Sequence, residues 1–390
     1  MREGISAAMD RAEALIDEVS EALLEPPSGA HLSTLEAAGQ ALYAAGSRVT
    51  LSEVMGQEKD PDFEKRRAEA EETIALIARH LAANLAVGEL PRHLRGWKAR
   101  LTENVVNLPS APQGIPTNVP DEYHDALADH LAGLSDAQCA GLLSGDLRLP
   151  KSVVAELLAQ KLPETGDVPD PVPLDDALVP MAREVFEGSP LAHFLHELEE
   201  SGRINCDKEG AAGFAFSIAE DFGGLPYIYV PRDGTFRDLI LLCHHLGHGF
   251  HQWVAQRKGS VLDPIGPTID EVIPVLCELR CEDWLARANP AAAKWITARR
   301  RAEVEGALSN FQEEIALIQA TLSGSPPENL QALDLTTLPG FQPPRLSSYS
   351  LGSVVAERVW RQHGWDFGWI EGFAAQAADA DLVAAIKAGA

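Results

Sequence analysis

The sequence predicts a mainly helical protein with one small β-sheet. Long segments filled with Ala, Leu, Glu and Arg carry apolar residues at three- and four-residue spacing, the period of an amphipathic helix. A strand signature, with runs rich in Tyr, Ile and Val, occurs only between residues 211 and 230. The 390 residues are 45% hydrophobic and 23% charged, the composition of a folded chain, which excludes wholesale disorder.

In order along the chain, the period predicts helices over 4–25, 33–57, 61–87, 121–142 and 150–161. It predicts further helices over 184–200, 236–257, 271–288, 291–321 and 349–362. Strands are expected at Ala211–Ile218 and Leu225–Val230, with Gly223 and Gly224 as the turn between them and Pro231–Gly234 as the closing turn. Stretches rich in Pro, Gly and polar residues, 108–120, 162–176 and 322–345, read as loops or linkers. The second divides the chain best, into a helical N-terminal region, 1–177, and a second domain, 178–390, which holds the strands and every defensible chemical motif.

Charge narrows the function classes. With 58 acidic and 32 basic residues the formal charge is −26, so neither nucleic acid nor an anionic membrane is expected as a partner. There is no apolar run of ~18 residues, and the first 25 residues carry acids at helical spacing in place of a signal peptide's apolar core. Five sparse cysteines, an odd number, point to a reducing cytoplasm and no disulfide framework. No GxSxG, phosphate-binding P-loop or dinucleotide-binding glycine pattern is present.

The informative segment is Gly234–Trp253, GTFRDLILLCHHLGHGFHQW. His244 and His248 lie at i and i+4 and share a helix face, a spacing that lets two imidazoles grip one tetrahedral metal ion. His251 is near the same face, and His245 points about a quarter-turn aside at ~100° per residue. Pairs of histidines at this spacing occur by chance, but four within eight residues exceed what a structural core needs. Cys243 reads as a small buried hydrophobe. On the next helix Glu271 follows His248 by 23 positions, and Glu278 lies two turns further on the same face. Glu271 is either a third ligand or the acid of a Thr268-x-x-Glu271 capping box, and the pattern alone leaves both open. Pro274 fits a helix start nearby.

These elements resemble the zinc core of the M3 metallopeptidases, the thimet oligopeptidase and oligoendopeptidase F group. The resemblance rests on Pro226-Tyr227, Gly234-Thr235-x-x-Asp238, His244-His245-Leu246-Gly247-His248, His251, Glu271 and Glu278, in that order. It extends over roughly 178–390. It implies a two-lobed, zincin-like helical fold with a deep cleft, the sheet beside the metal helix, and 1–177 forming one wall. It also implies one Zn²⁺ per chain, with His244, His248 and Glu271 as ligands and Glu278 and His251 behind them. Tyr349, in Ser347-Ser348-Tyr349-Ser350-Leu351-Gly352, matches a tyrosine that holds the oxyanion in that family. Gly213, Phe214, Ala215 and Phe216 match the strand along which substrate backbones lie. The implied substrate is a small molecule or a short peptide-like compound.

The sequence departs from that family at the position of the general base. The glutamate expected directly after the first histidine, which activates the attacking water, is His245 here. The tyrosines expected upstream of Tyr349 fall on Gln342, Arg345 or Leu346. Three functions therefore compete. One is a repurposed metalloenzyme that uses Lewis-acid and imidazole chemistry on an amino-acid-derived or peptide-like substrate. A second is a peptidase or amidase with His245 as base, ranked lower because a nearby dication depresses an imidazole's basicity. The third is a non-catalytic zinc-bound homologue. His193 and His196 read as a solvated helix face, and Trp360, Trp365 and Trp369 as apolar packing.

Overall fold

A computed structural model describes residues 2–24, 26–54, 61–85, 168–174, 177–206, 214–261, 267–290, 292–306 and 346–376. The expected helices at 121–142 and 150–161 lie outside these residues, as do the three loop stretches apart from 168–174.

The chain is mostly helical with a small three-stranded sheet. Three helices come first: α1 (Arg2–Ala22), α2 (Gly29–Val54) and α3 (Pro61–Asn84). They bury one apolar cluster of their own, which includes Met9, Val19, Leu35, Ala45, Ile77 and Leu81. Next come α4 (Leu178–Val185), α5 (Pro190–Glu200), β1 (Ile204–Asn205), β2 (Phe216–Ala219) and β3 (Pro226–Tyr229). The long α6 (Phe236–Lys258) is followed by α7 (Pro267–Asp270), α8 (Val272–Ala288), a helical segment at 292–306 (α9), α10 (Leu346–His363) and α11 (Phe367–Gln376). A second, larger apolar cluster joins α4, α5, β3, α6, α8, α10 and α11 through residues such as Phe186, Phe194, Leu239, Leu246, Val275, Val359 and Phe373.

In the sheet β3 is central, parallel to β1 and antiparallel to β2, so β2 forms an edge. The β2–β3 register pairs Phe216 with Tyr229 and Ala219 with Pro226. From the N-terminal helices, Leu51 packs on Phe216 and Tyr229, and Tyr43 meets Phe222 edge-on at 5.6 Å. Ser260 Oγ donates to Glu36 Oε2 at 2.6 Å, and Arg48 pairs with Asp221 at 3.0 Å.

Several expectations change. Among the described residues the first expected strand is shorter, Phe216–Ala219, with Phe214 and Ala215 before it, and the short α7 precedes α8. The helix expected at 184–200 is interrupted: α4 begins earlier, at Leu178, and ends at Val185, and Gly188 turns at φ +76° before Ser189 caps the new start of α5 with Pro190 in its first turn. β1 was not expected. Its two residues, Ile204 and Asn205, are too few for a strand period to show. α11 was also not expected, since its glycines and aromatic residues weaken helix propensity. Asp366 supports its start by accepting from Trp369 N at 3.0 Å. Trp360, Trp365 and Trp369 pack against the larger cluster, and His193 and His196 pair with Glu197 and Glu200 on an exposed helix face.

Candidate functional site

The start of α6 is fixed by the residues that lead into it. Gly234 turns at φ +80°, Thr235 Oγ1 accepts from Arg237 N at 3.3 Å, and the buried Asp238 carboxylate accepts from Gly234 N at 2.8 Å. Two glycines then let α6 approach its neighbours closely. A Cβ on Gly247 would lie 2.5 Å from Pro274 Cα of α8, and one on Gly249 would lie 2.9 Å from Pro226 Cγ of the sheet. With no side chain at 247, the histidine face of α6 comes within reach of the acids on and before α8.

There His244, His248 and Glu271 converge, each with one donor atom within 4.8 Å of the others. Glu271 Oε2 lies 3.6 Å from His244 Nε2 and 3.5 Å from His248 Nε2. These separations are too long for good hydrogen bonds. They are close to the ~3.3–3.4 Å between donors at ~2.0–2.1 Å around a tetrahedral zinc ion. Glu271 Oε2 is buried without a hydrogen-bond partner, an orphaned acceptor that a cation would satisfy. Two imidazoles and a carboxylate are a donor set that suits zinc, so the residues present fit the ion. Glu271 sits at the N-cap position of α8 and makes no side-chain capping bond.

Behind the donors, Glu278 Oε1 lies 2.6 Å from His244 Nδ1, and Glu278 is only 3% exposed. That contact puts the proton on Nδ1 and leaves the Nε2 lone pair facing Glu271. Burial works against the Glu278 charge, but the His244 contact and the Arg299 and Arg300 charges outweigh it and hold the carboxyl well below its usual range. Asp270 stands on the other side, its carboxylate 3.5 Å from His248 Nδ1 and 3.7 Å from His251 Nδ1, accepting from Gln252 at 3.2 Å. Burial opposes a cation on His248, yet Glu271 and Asp270 outweigh it and push its pKa up to about 9. The acids thus give this point a field that favours positive charge. His251 is fully buried, packs beside Phe373 and is pushed down to about 4 by burial.

His245 lies beside the donors and outside their set. Its ring is 5.3 Å from that of His244 and 5.7 Å from that of His248, and Nδ1 is buried without a partner. Burial, followed by the neighbouring His244 and His248, holds its pKa well below the ordinary value, so the ring is neutral. Tyr349 falls in the first turn of α10, which packs against α7 and α8; its side chain lies outside the described residues. Gly213 also lies outside them, whereas Phe214 is 51% exposed just before the edge strand, Ala215 is partly buried and Phe216 is buried against Tyr229.

Sequence reasoning missed Asp270, Gly249, Arg299 and Arg300. Asp270 had a signal, since it directly precedes Glu271; the arginines had none beyond ordinary spacing to Glu303 on their own helix, because Glu278 and Glu282 lie on another helix.

No family model and no curated protein matches the chain. Among solved structures it is similar to a peptidase candidate from Chlamydophila abortus, with a TM-score of 0.61 and 12% identity over 100% of this chain and 92% of that one. An oligoendopeptidase F candidate from Bacillus anthracis str. Ames has a TM-score of 0.41 and 14% identity over 100% of this chain and 76% of that one. An inhibitor-bound PZ peptidase A has a TM-score of 0.40 and 13% identity over 98% and 75%. The first of these likenesses shows a shared fold.

Proposed function

We propose that the chain is a zinc metalloenzyme of M3-like architecture that is not an ordinary peptidase. In this reading it acts in the cytoplasm on a small amino-acid-derived or short peptide-like substrate. Residues 1–177 form one wall of the substrate cleft and 178–390 carry the chemistry. The reading rests on one observation: an orphaned carboxylate oxygen of Glu271 lies 3.6 Å and 3.5 Å from the Nε2 atoms of His244 and His248, beside a histidine where the family carries its base.

His244, His248 and Glu271 would hold the ion, which when bound supplies Lewis-acid polarisation of a substrate oxygen. Glu278 fixes the tautomer of His244, and Asp270 faces Nδ1 of His248. His245 offers a neutral imidazole beside the site. The ring is partly exposed, and a neutral imidazole that reaches the substrate can take or return a proton there. It is a poorer partner than a carboxylate for hydrolysis, because burial and a neighbouring dication both weaken its basicity, whereas an anion is held by the same field. His245 lies outside the converging donor set, which supports an open coordination position over the closed sphere of a purely structural site.

The test is hydrolysis of a panel of fluorogenic peptides by the zinc-loaded chain and by His245→Glu and His245→Ala. The native protein is expected to cleave them poorly or not at all. In a site rebuilt for other chemistry, His245→Glu does not create a good peptidase; in a merely decayed peptidase it restores cleavage by ~10²–10⁴-fold. Native cleavage at ordinary enzyme rates, lost in His245→Ala, would overturn this ranking in favour of a peptidase with a histidine base.

A further inference from the structure

Glu278 has a second oxygen, and two arginines hold it. Oε2 accepts from Arg300 Nη2 at 3.1 Å and from Arg299 Nη2 at 3.4 Å. Both guanidiniums continue to Glu282, one turn further along α8. Arg300 Nε donates to Glu282 Oε2 at 3.0 Å, and Arg299 Nη1 to Glu282 Oε1. Glu303 closes the cluster on α9, 2.6 Å from Arg299 Nη2. The arginine side chains are 14% and 13% exposed, so five charged groups are packed together behind the histidine face. Three carboxylates with oxygens within 4.8 Å of one another could suggest a second cation site, but the guanidinium groups already bridge them.

This arrangement acts on the donor histidine. A carboxylate bonded only to His244 could turn about its last torsion and present either oxygen at a range of angles. With two guanidiniums on Oε2, such a turn breaks charge-assisted bonds in a buried setting, so Oε1 alone serves Nδ1 of His244. The forked geometry matters, because one planar guanidinium reaches Glu278 and Glu282 at once, and an ammonium group cannot reproduce that pair of bonds.

We propose that Arg299 and Arg300 are positioning residues for the metal centre: by holding Oε2 of Glu278 they fix Oε1 on Nδ1 of His244, and with it the ring plane and the Nε2 lone pair that the ion meets. The proposal rests on the metal reading above.

The test uses the full chain with Arg300→Lys and Arg299→Lys, each alone and combined with Glu278→Gln. Zinc affinity is measured by chelator competition, ligand geometry by the visible spectrum of the cobalt(II)-loaded protein, and folding by the melting temperature of the metal-free protein. Each lysine variant should lose ~10-fold or more in zinc affinity and shift the cobalt spectrum. In the Glu278→Gln background the same changes should add little, since the linking oxygen's charge is already gone. A lower metal-free melting temperature with wild-type affinity and spectrum overturns the proposal and leaves only a helix clamp. Should Arg300→Lys fail to fold, Arg299→Lys and Arg300→Gln, each retaining one guanidinium on Oε2, carry the same readouts. A native chain that binds zinc, with His248→Ala binding none and the lysine variants unchanged, refutes the arginine role alone. A native chain without stoichiometric metal refutes the metal reading itself.

Discussion

Asp270 shows how much depends on a single carboxylate beside the donors. It faces Nδ1 of His248 and of His251 and holds Gln252, so its charge bears on two imidazoles at once. Asp270→Asn keeps the shape and removes the charge, and zinc affinity should fall by about 10-fold, in the range for groups that orient a ligand histidine. Chelator competition checks this, and an unchanged affinity would mean that His248 is oriented by its helix alone. The shared faces of these residues were legible in the sequence because a helix turns spacing into position: His244 and His248 are one turn apart, and Glu271 and Glu278 are two. Whether Glu271 capped a helix or faced the histidines was not legible, since both readings use the same Thr-x-x-Glu pattern. Asp270 is marked in the sequence only by its place next to Glu271, and spacing along the chain does not show that it faces two histidines of another helix.

At the scale of elements, the site depends on how closely α6 lies against α8 and the sheet. Gly247→Ala would place a methyl group 2.5 Å from Pro274 Cα, and backbone cannot yield as a side-chain end can. The helices would have to part, at a cost of about 1–3 kcal/mol, and the histidines would draw away from Glu271. Thermal melts should show the loss of stability and chelator competition a fall in zinc affinity. A variant that melts and binds zinc like the native protein would contradict the close-packing account. The long helices were readable because their period persists over many turns, as in α2 and α6. The break at Gly188 does not show in helix propensity, because the residues on both sides of it are ordinary helix formers such as Ala, Leu and Glu. Yet Gly188-Ser189-Pro190 holds a positive-φ turn, a cap and a first-turn proline in three successive residues.

For the whole molecule, the N-terminal helices keep a core of their own while touching the sheet and the C-terminal end of α6. Glu36 is the most concentrated of these contacts, accepting from Ser260 Oγ at 2.6 Å and from Val261 N at 3.2 Å. Glu36→Ala leaves both donors without that acceptor and should cost about 1–3 kcal/mol. It should leave zinc affinity unchanged, because no ligand touches it. A melt identical to the native one would show that this junction adds nothing to stability. Composition gave the broad class, a mostly helical chain, because Ala, Leu and Glu propensities add over long segments. It could not give the way the helices are joined, which depends on single contacts between residues more than 200 positions apart.

Elemental analysis of the full chain after exhaustive dialysis tests the metal centre most directly. One zinc per native chain and none in His248→Ala are expected. A native chain without stoichiometric zinc, or a His248→Ala variant that keeps it, would contradict the assignment of His244, His248 and Glu271 as its ligands.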